Sequence, residues 1–186
     1  MVRDYILLIV IFFIICCNNE KEVISEKITY ESENIEIYLL NELNDSRGFC
    51  IDIMGYKSSA DPNKVIQAHS CYSYQGEISV DQSFDNSRIL LNELYIPYFN
   101  VCIAAEKVEE SSPLKLKNCD KTDKQKFIFQ NDGRIQPLQD LNLCLTVSQN
   151  HKEGGGGNPV HLIRNLTLEI CNNQYSSRQK WGKRSL

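Results

Sequence analysis

Ile66-Gln67-Ala68-His69-Ser70-Cys71, Leu114-Lys115-Leu116-Lys117-Asn118-Cys119 and Leu166-Thr167-Leu168-Glu169-Ile170-Cys171 share one pattern: apolar, any, apolar, two residues, cysteine. The period-two alternation is that of a β-strand with one buried face. Each copy is preceded by a five-residue apolar or alternating run that also holds a cysteine: Phe49-Cys50-Ile51-Asp52-Ile53, Val101-Cys102-Ile103-Ala104-Ala105 and Leu143-Cys144-Leu145-Thr146-Val147. Each is followed by Gln-x-aromatic: Gln82-Ser83-Phe84, Gln125-Lys126-Phe127 and Gln179-Lys180-Trp181. Leu39-Leu40-Asn41-Glu42-Leu43 also recurs as Leu90-Leu91-Asn92-Glu93-Leu94, 51 positions on. Two cysteines and a Gln-x-aromatic in the same order, three times, mark internal repeats.

Repeats of 42–52 residues also occur in propellers and solenoids. Three are too few for a propeller, and a solenoid needs capping repeats that this sequence lacks. Three four-stranded units closed around a pseudo-threefold axis make an all-β fold, the β-trefoil. Only five residues follow Trp181, too few for another strand and its turn. The strand missing from the third unit is expected at the start, Ile35 to Leu40, where it removes an open sheet edge. The repeats span about 35–88, 89–135 and 136–186.

The chain has 186 residues, with 20 Lys and Arg against 24 Asp and Glu, net −4. A nucleic-acid binder should show a basic excess, so nucleic acid is not an expected partner. Residues 1–17 carry an unbroken apolar run, Ile6 to Cys17, twelve residues long. A spanning helix needs about 20; the run instead matches the apolar region of an export signal. The closing Cys16-Cys17 resembles a bacterial lipoprotein processing site, which makes Cys17 the lipidation candidate. Plain cleavage and an uncleaved anchor are the alternatives. Residues 18–34 are acidic and read as a tether, so the protein is expected to be secreted or membrane-anchored at the cell surface or periplasm. Export puts the other six cysteines in an oxidising compartment, where an even count reads as a disulfide framework.

The order Cys-Ile-Asp, apolar-Gln-x-aromatic-x-Cys, then Gln-x-Trp/Phe resembles the ricin-type (R-type) lectin β-trefoil. Asn131-Asp132-Gly133-Arg134-Ile135, shortly before Cys144-Leu145-Thr146, adds to the likeness, which covers roughly residues 35–186. Together with the repeat, it implies disulfides within units: Cys50–Cys71, Cys102–Cys119 and Cys144–Cys171. It also implies carbohydrate binding, with a galactose-type glycan as partner. In R-type lectins a carboxylate two positions after the first cysteine grips sugar hydroxyls, and a flat ring two before the second packs on the sugar face. Unit one offers Asp52 and His69 there, with Gln67 as an amide partner and Asp81-Gln82 where the family has Asn-Gln. Asp52, Gln67 and His69 are therefore expected to converge on one shallow exposed pocket. A buried Asp52 favours the rival, a structural or protein-binding trefoil whose sugar site has decayed. Ala104 and Thr146 replace the carboxylate in units two and three, and Lys117 and Glu169 take the platform position, so those units are expected to be scaffold.

Unit three carries an insertion, Gln149 to Asn165, with Gly154-Gly155-Gly156-Gly157. No Lys-Ser/Thr follows the glycines, so it is no phosphate loop; a mobile surface loop is expected. Two carboxylates facing one site, Asp52 and Asp81, make a Ca²⁺ conceivable, but no metal, cofactor or catalytic residue is assigned. G-x-S-x-G, H-E-x-x-H and a cysteine with a credible base are absent, and the chain is not expected to be an enzyme.

Overall fold

The computed structural model describes residues 33–186; the expected export signal, the lipidation candidate Cys17 and nearly all of the expected tether lie outside them. Thirteen strands follow in order: β1 (Asn34–Leu39), β2 (Phe49–Ile53), β3 (Ile66–Ser70), β4 (Ser83–Asp85), β5 (Tyr95–Ile96), β6 (Val101–Ala105), β7 (Ser112–Lys117), β8 (Phe127–Phe129), β9 (Ile135–Pro137), β10 (Leu143–Val147), β11 (Lys152–Glu153), β12 (Leu162–Ile170) and β13 (Trp181–Arg184). The two cysteine-bearing segments of each repeat pair as antiparallel ladders, β2–β3, β6–β7 and β10–β12. The long β12 joins the repeats, pairing through Ile163–Asn165 with β3 and through Thr167–Leu168 with β7. The first and last described strands meet, as the strand missing from the third unit requires: β1 lies antiparallel to β13, with Leu39 opposite Trp181 and Glu36 opposite Arg184. The molecule is a β-trefoil.

The repeat is visible atom by atom. Phe84, Phe127 and Trp181 are buried in one apolar core with Ile37, Phe49 and Leu145. The glutamine two positions before each ring does the same work three times. Gln82 Oε1 accepts the Tyr72 N–H, and its Nε2 donates to Ser70 O. Gln125 accepts from Asp120 N–H and donates to Asn118 O. Gln179 accepts from Asn172 N–H and donates to Ile170 O. Each glutamine thus ties together the peptides on either side of the second cysteine, satisfying buried backbone groups that would otherwise be unpaired. The disulfides are Cys50–Cys71, Cys102–Cys119 and Cys144–Cys171. Each closes a short loop within one repeat, stabilising by roughly 3 kcal/mol in the chain-entropy model.

The insertion of the third repeat does not run free over the surface, as a mobile loop would. Lys152 and Glu153 pair with Ile163 and Leu162, and Gly154 N–H donates to His161 O at 2.7 Å. Arg47 then clamps the returning segment onto the first repeat, donating to Pro159 O and Val160 O at 2.8 Å each. Arg47 is itself held by the buried Asp45 carboxylate, which also accepts from Ser70 Oγ. Gly157 has φ +82°, and a Cβ there would lie 2.8 Å from the His161 ring. The glycines allow the turn that carries His161 into the body of the protein.

Candidate functional site

Asp52 on β2 faces Gln67 on β3 in register. Gln67 Nε2 donates to Asp52 Oδ1 at 2.8 Å, and Gln82 Nε2 donates to Oδ2 at 3.0 Å. The five side chains expected to meet a sugar are all under cover: Asp52 is 1% exposed, Gln67 3%, His69 3%, and Asp81 and Gln82 0%. The expected shallow exposed pocket is not met. Tyr72, buried just after the second cysteine, lies over His69 with ring centroids 5.1 Å apart. His161 from the insertion packs edge-on against both rings, at 5.0 Å and 5.2 Å. Tyr74 Oη meets His161 Nε2 at 3.1 Å on the outside. The Tyr72 and His161 rings pack against the only aromatic side chain of the expected set, His69. Asp81 is fully buried too, accepting from Ser79 Oγ and, at 2.5 Å, from Lys57 N–H.

The electrostatics follow from that burial. Desolvation pushes the Asp52 carboxyl well above the usual carboxylate range, and the neighbouring Asp81 adds to it; the two amide donors oppose them. Burial lowers His69, against the Ser70 carbonyl on its Nδ1, and His161 lowers it further. Burial lowers His161 as well, with the Arg47 charge assisting. Protonation of either imidazole is disfavoured here, and His69 presents no face to solvent. Gln82 is not a free amide: Asp52, Ser70 O and Tyr72 N–H occupy it. Among the described residues the one close group of possible metal ligands, Glu36 with Cys50 and Cys71, is closed because its two sulfurs form a disulfide.

The third repeat, expected to be scaffold, is open at the corresponding place. A groove of about 530 Å³ is lined by Thr146, Thr167, Glu169, Tyr175 and Arg178, with Glu110 entering from the second repeat. Thr146 and Glu169 occupy the carboxylate and platform positions, and Thr167 matches Gln67, four before the second cysteine. Thr146 itself is buried and committed, donating to Cys144 O and accepting from Gln179 Nε2. Glu169 reaches the groove and takes the Thr167 hydroxyl at 2.7 Å. A single helical turn, Ser176–Gln179, follows Tyr175 and carries Arg178. Arg178 stacks on the Tyr175 ring at 4.7 Å and donates to Val147 O at 3.0 Å. Tyr175 is 43% exposed. The groove thus offers a flat aromatic ring, a guanidinium, a carboxylate and a hydroxyl, the mixture that polar ligand sites use. Another depression, of about 560 Å³ beside Phe99, Leu116 and Asp120, includes from the matched positions only Lys117.

The model of the ricin-type beta-trefoil lectin domain matches residues 40–181, most of the chain. The chain belongs to the ricin-type β-trefoil lectin family. Solved structures share this trefoil at low identity. The earthworm lectin C-terminal domain, solved as a mutant with 6'-sialyllactose, is 19% identical with TM-score 0.55, over 83% of this chain and 99% of that one. The β-trefoil lectin of the Vibrio vulnificus hemolysin/cytolysin, solved with N-acetyl-D-lactosamine, is 14% identical with TM-score 0.53, over 83% and 95%. ThreeFoil, a designed threefold-symmetric protein, is 12% identical with TM-score 0.58, over 82% and 99%. No curated protein matches the sequence. Motif matching within this family points to Asp52 and passes over Tyr175 and Arg178, because neither sits at a matched platform or carboxylate position. Their signal is Tyr175-Ser176-Ser177-Arg178-Gln179, a ring and a cation leading directly into Gln-x-Trp.

Proposed function

We propose that the protein is an exported carbohydrate-binding trefoil whose sugar site is the groove of the third repeat. The observation that carries this reading is the open groove beside Tyr175, Glu169 and Arg178, set against the ring-covered His69 of the first repeat. A pyranose lying against the exposed Tyr175 face brings its hydroxyls to Glu169 and Arg178, where charge-assisted hydrogen bonds contribute about 1.5–3 kcal/mol each. Lectin neighbours crystallised with 6'-sialyllactose and N-acetyl-D-lactosamine support the ligand class. Three intra-repeat disulfides support an oxidising compartment outside the cytoplasm, and an acylated Cys17 is the proposed membrane tether. Nothing in the groove arranges a nucleophile and base, and the proposed role is binding alone.

A second reading draws on the buried Asp52: a trefoil whose first-repeat sugar pocket has become core and which binds protein instead. A glycan array probed with the full-length protein and with Tyr175→Ala separates the two. Binding that falls at least tenfold in Tyr175→Ala, with unchanged unfolding, is expected. Full binding by Tyr175→Ala, or no glycan bound at all, overturns the proposal.

A further inference from the structure

Six arginines lie among the described residues, and four pair with a carboxylate: Arg47 with Asp45, Arg88 with Glu93, Arg134 with Asp132 and Arg184 with Glu36. The two without such a partner are Arg178, in the third-repeat groove, and Arg164, which bonds to the carbonyl of the lining residue Ser148. Arg178 lines the groove, bonded only to a carbonyl and a tyrosine face. Arg164 is buried behind its wall, donating to Ser148 O, Gln149 O and Asn44 Oδ1, with Nε unpartnered. Burial depresses the Arg164 pKa, and the like charge of Arg178 adds to the shift. A guanidinium held out of water without a counter-ion is costly unless an anion reaches it or its field.

The groove shares Ser148 and Asn165 with an adjoining pocket of about 230 Å³, lined also by Ile163, Asn150, His151 and Lys152 and by no acidic residue. This pocket is built by the insertion, whose strand β11 sets Lys152 beside Ile163. Alternation along the strand sends Glu153 to the opposite face. No carboxylate pairs with Lys152 among the described residues. The acidic side chains of the site, Glu169 and Glu110, stand in the main groove instead.

We propose that this adjoining pocket is a second subsite for an anionic group, a carboxylate or a sulfate, on the sugar chain held in the main groove. It rests on the carbohydrate-binding reading of that groove and adds a polarity to it. The neutral ring lies at the Tyr175–Glu169 end, and the anion lies toward Lys152, His151 and the field of Arg164 and Arg178.

The test compares lactose, sulfated lactose and sialyllactose by calorimetry with the full-length protein and with Lys152→Glu, whose side chain is on the surface. At least one acidic ligand should bind about tenfold more tightly than lactose. That advantage should shrink as salt is raised and should be lost in Lys152→Glu. Preference for the sialylated probe assigns the carboxylate, and preference for the sulfated probe assigns the sulfate. Equal affinity for all three ligands overturns the subsite and leaves the groove reading standing. An acidic advantage that survives Lys152→Glu overturns it likewise. No binding of any of the three overturns both.

Discussion

Replacing Asp52 separates a structural carboxylate from a sugar-gripping one. Its two oxygens accept from Gln67 Nε2 and Gln82 Nε2, all out of water. In Asp52→Ala the Gln67 amide loses its acceptor, while Gln82 keeps Ser70 O at 3.3 Å. One buried orphan donor costs about 1–3 kcal/mol, and a loss near 2 kcal/mol lowers the unfolding midpoint of a domain this size by about 4–8 °C. Asp52→Asn is milder. Gln67 Oε1 has no partner, so a turned amide can receive the new N–H, and the change in stability should stay within about 1 kcal/mol. The pH dependence has a definite sign. Burial and Asp81 raise the folded-state pKa of Asp52. Its stabilising contribution is therefore full below the unfolded value of about 3.9 and is lost as pH rises through the folded one. Relative to Asp52→Asn, the natural protein should gain stability on acidification. Thermal unfolding at several pH values, with glycan binding measured beside it, checks all of this. Binding should survive both substitutions. An Asp52→Asn protein that unfolds normally but binds sugar at least tenfold more weakly refutes the assignment of Asp52 to the core.

The histidine plug has the opposite pH sign. His69 and His161 are held below the ordinary imidazole value, so stability present above about pH 6.5 is lost as pH falls through their folded values; His161→Phe should flatten that dependence in unfolding measured between pH 7 and 5. Non-reducing peptide mapping should give Cys50–Cys71, Cys102–Cys119 and Cys144–Cys171, and a Cys50–Cys119 peptide would break the repeat alignment. Intact mass of membrane-fraction protein should show an acylated chain beginning at Cys17; an unmodified mature terminus refutes the tether.

The trefoil and its disulfides were legible because they depend on local pattern repeated in register. Alternating residues before Cys71, Cys119 and Cys171 specify strands whatever surrounds them, and the closing pair β1–β13 follows from counting the strands that remain. The state of the first-repeat pocket was not legible, because it depends on what covers it. Asp52, Gln67 and His69 keep the spacing of a sugar site, yet His161 arrives from the third repeat on a glycine-rich turn fixed by Arg47. No spacing rule within repeat one reports that contact. The third repeat shows the converse. Thr146 replaces the carboxylate there, so the motif positions alone describe scaffold, and the open groove is formed by Glu169 at the end of β12, Tyr175 just before the one-turn helix and Arg178 within it.

The most direct measurement is a crystal structure of the protein with a bound galactose-type oligosaccharide, supported by sugar-induced chemical-shift changes in solution. The account predicts the sugar ring against Tyr175, with Glu169 and Arg178 on its hydroxyls and the His69–Tyr72–His161 cluster undisturbed. A sugar seated on Asp52 and His69, with Tyr72 and His161 swung aside, would contradict it.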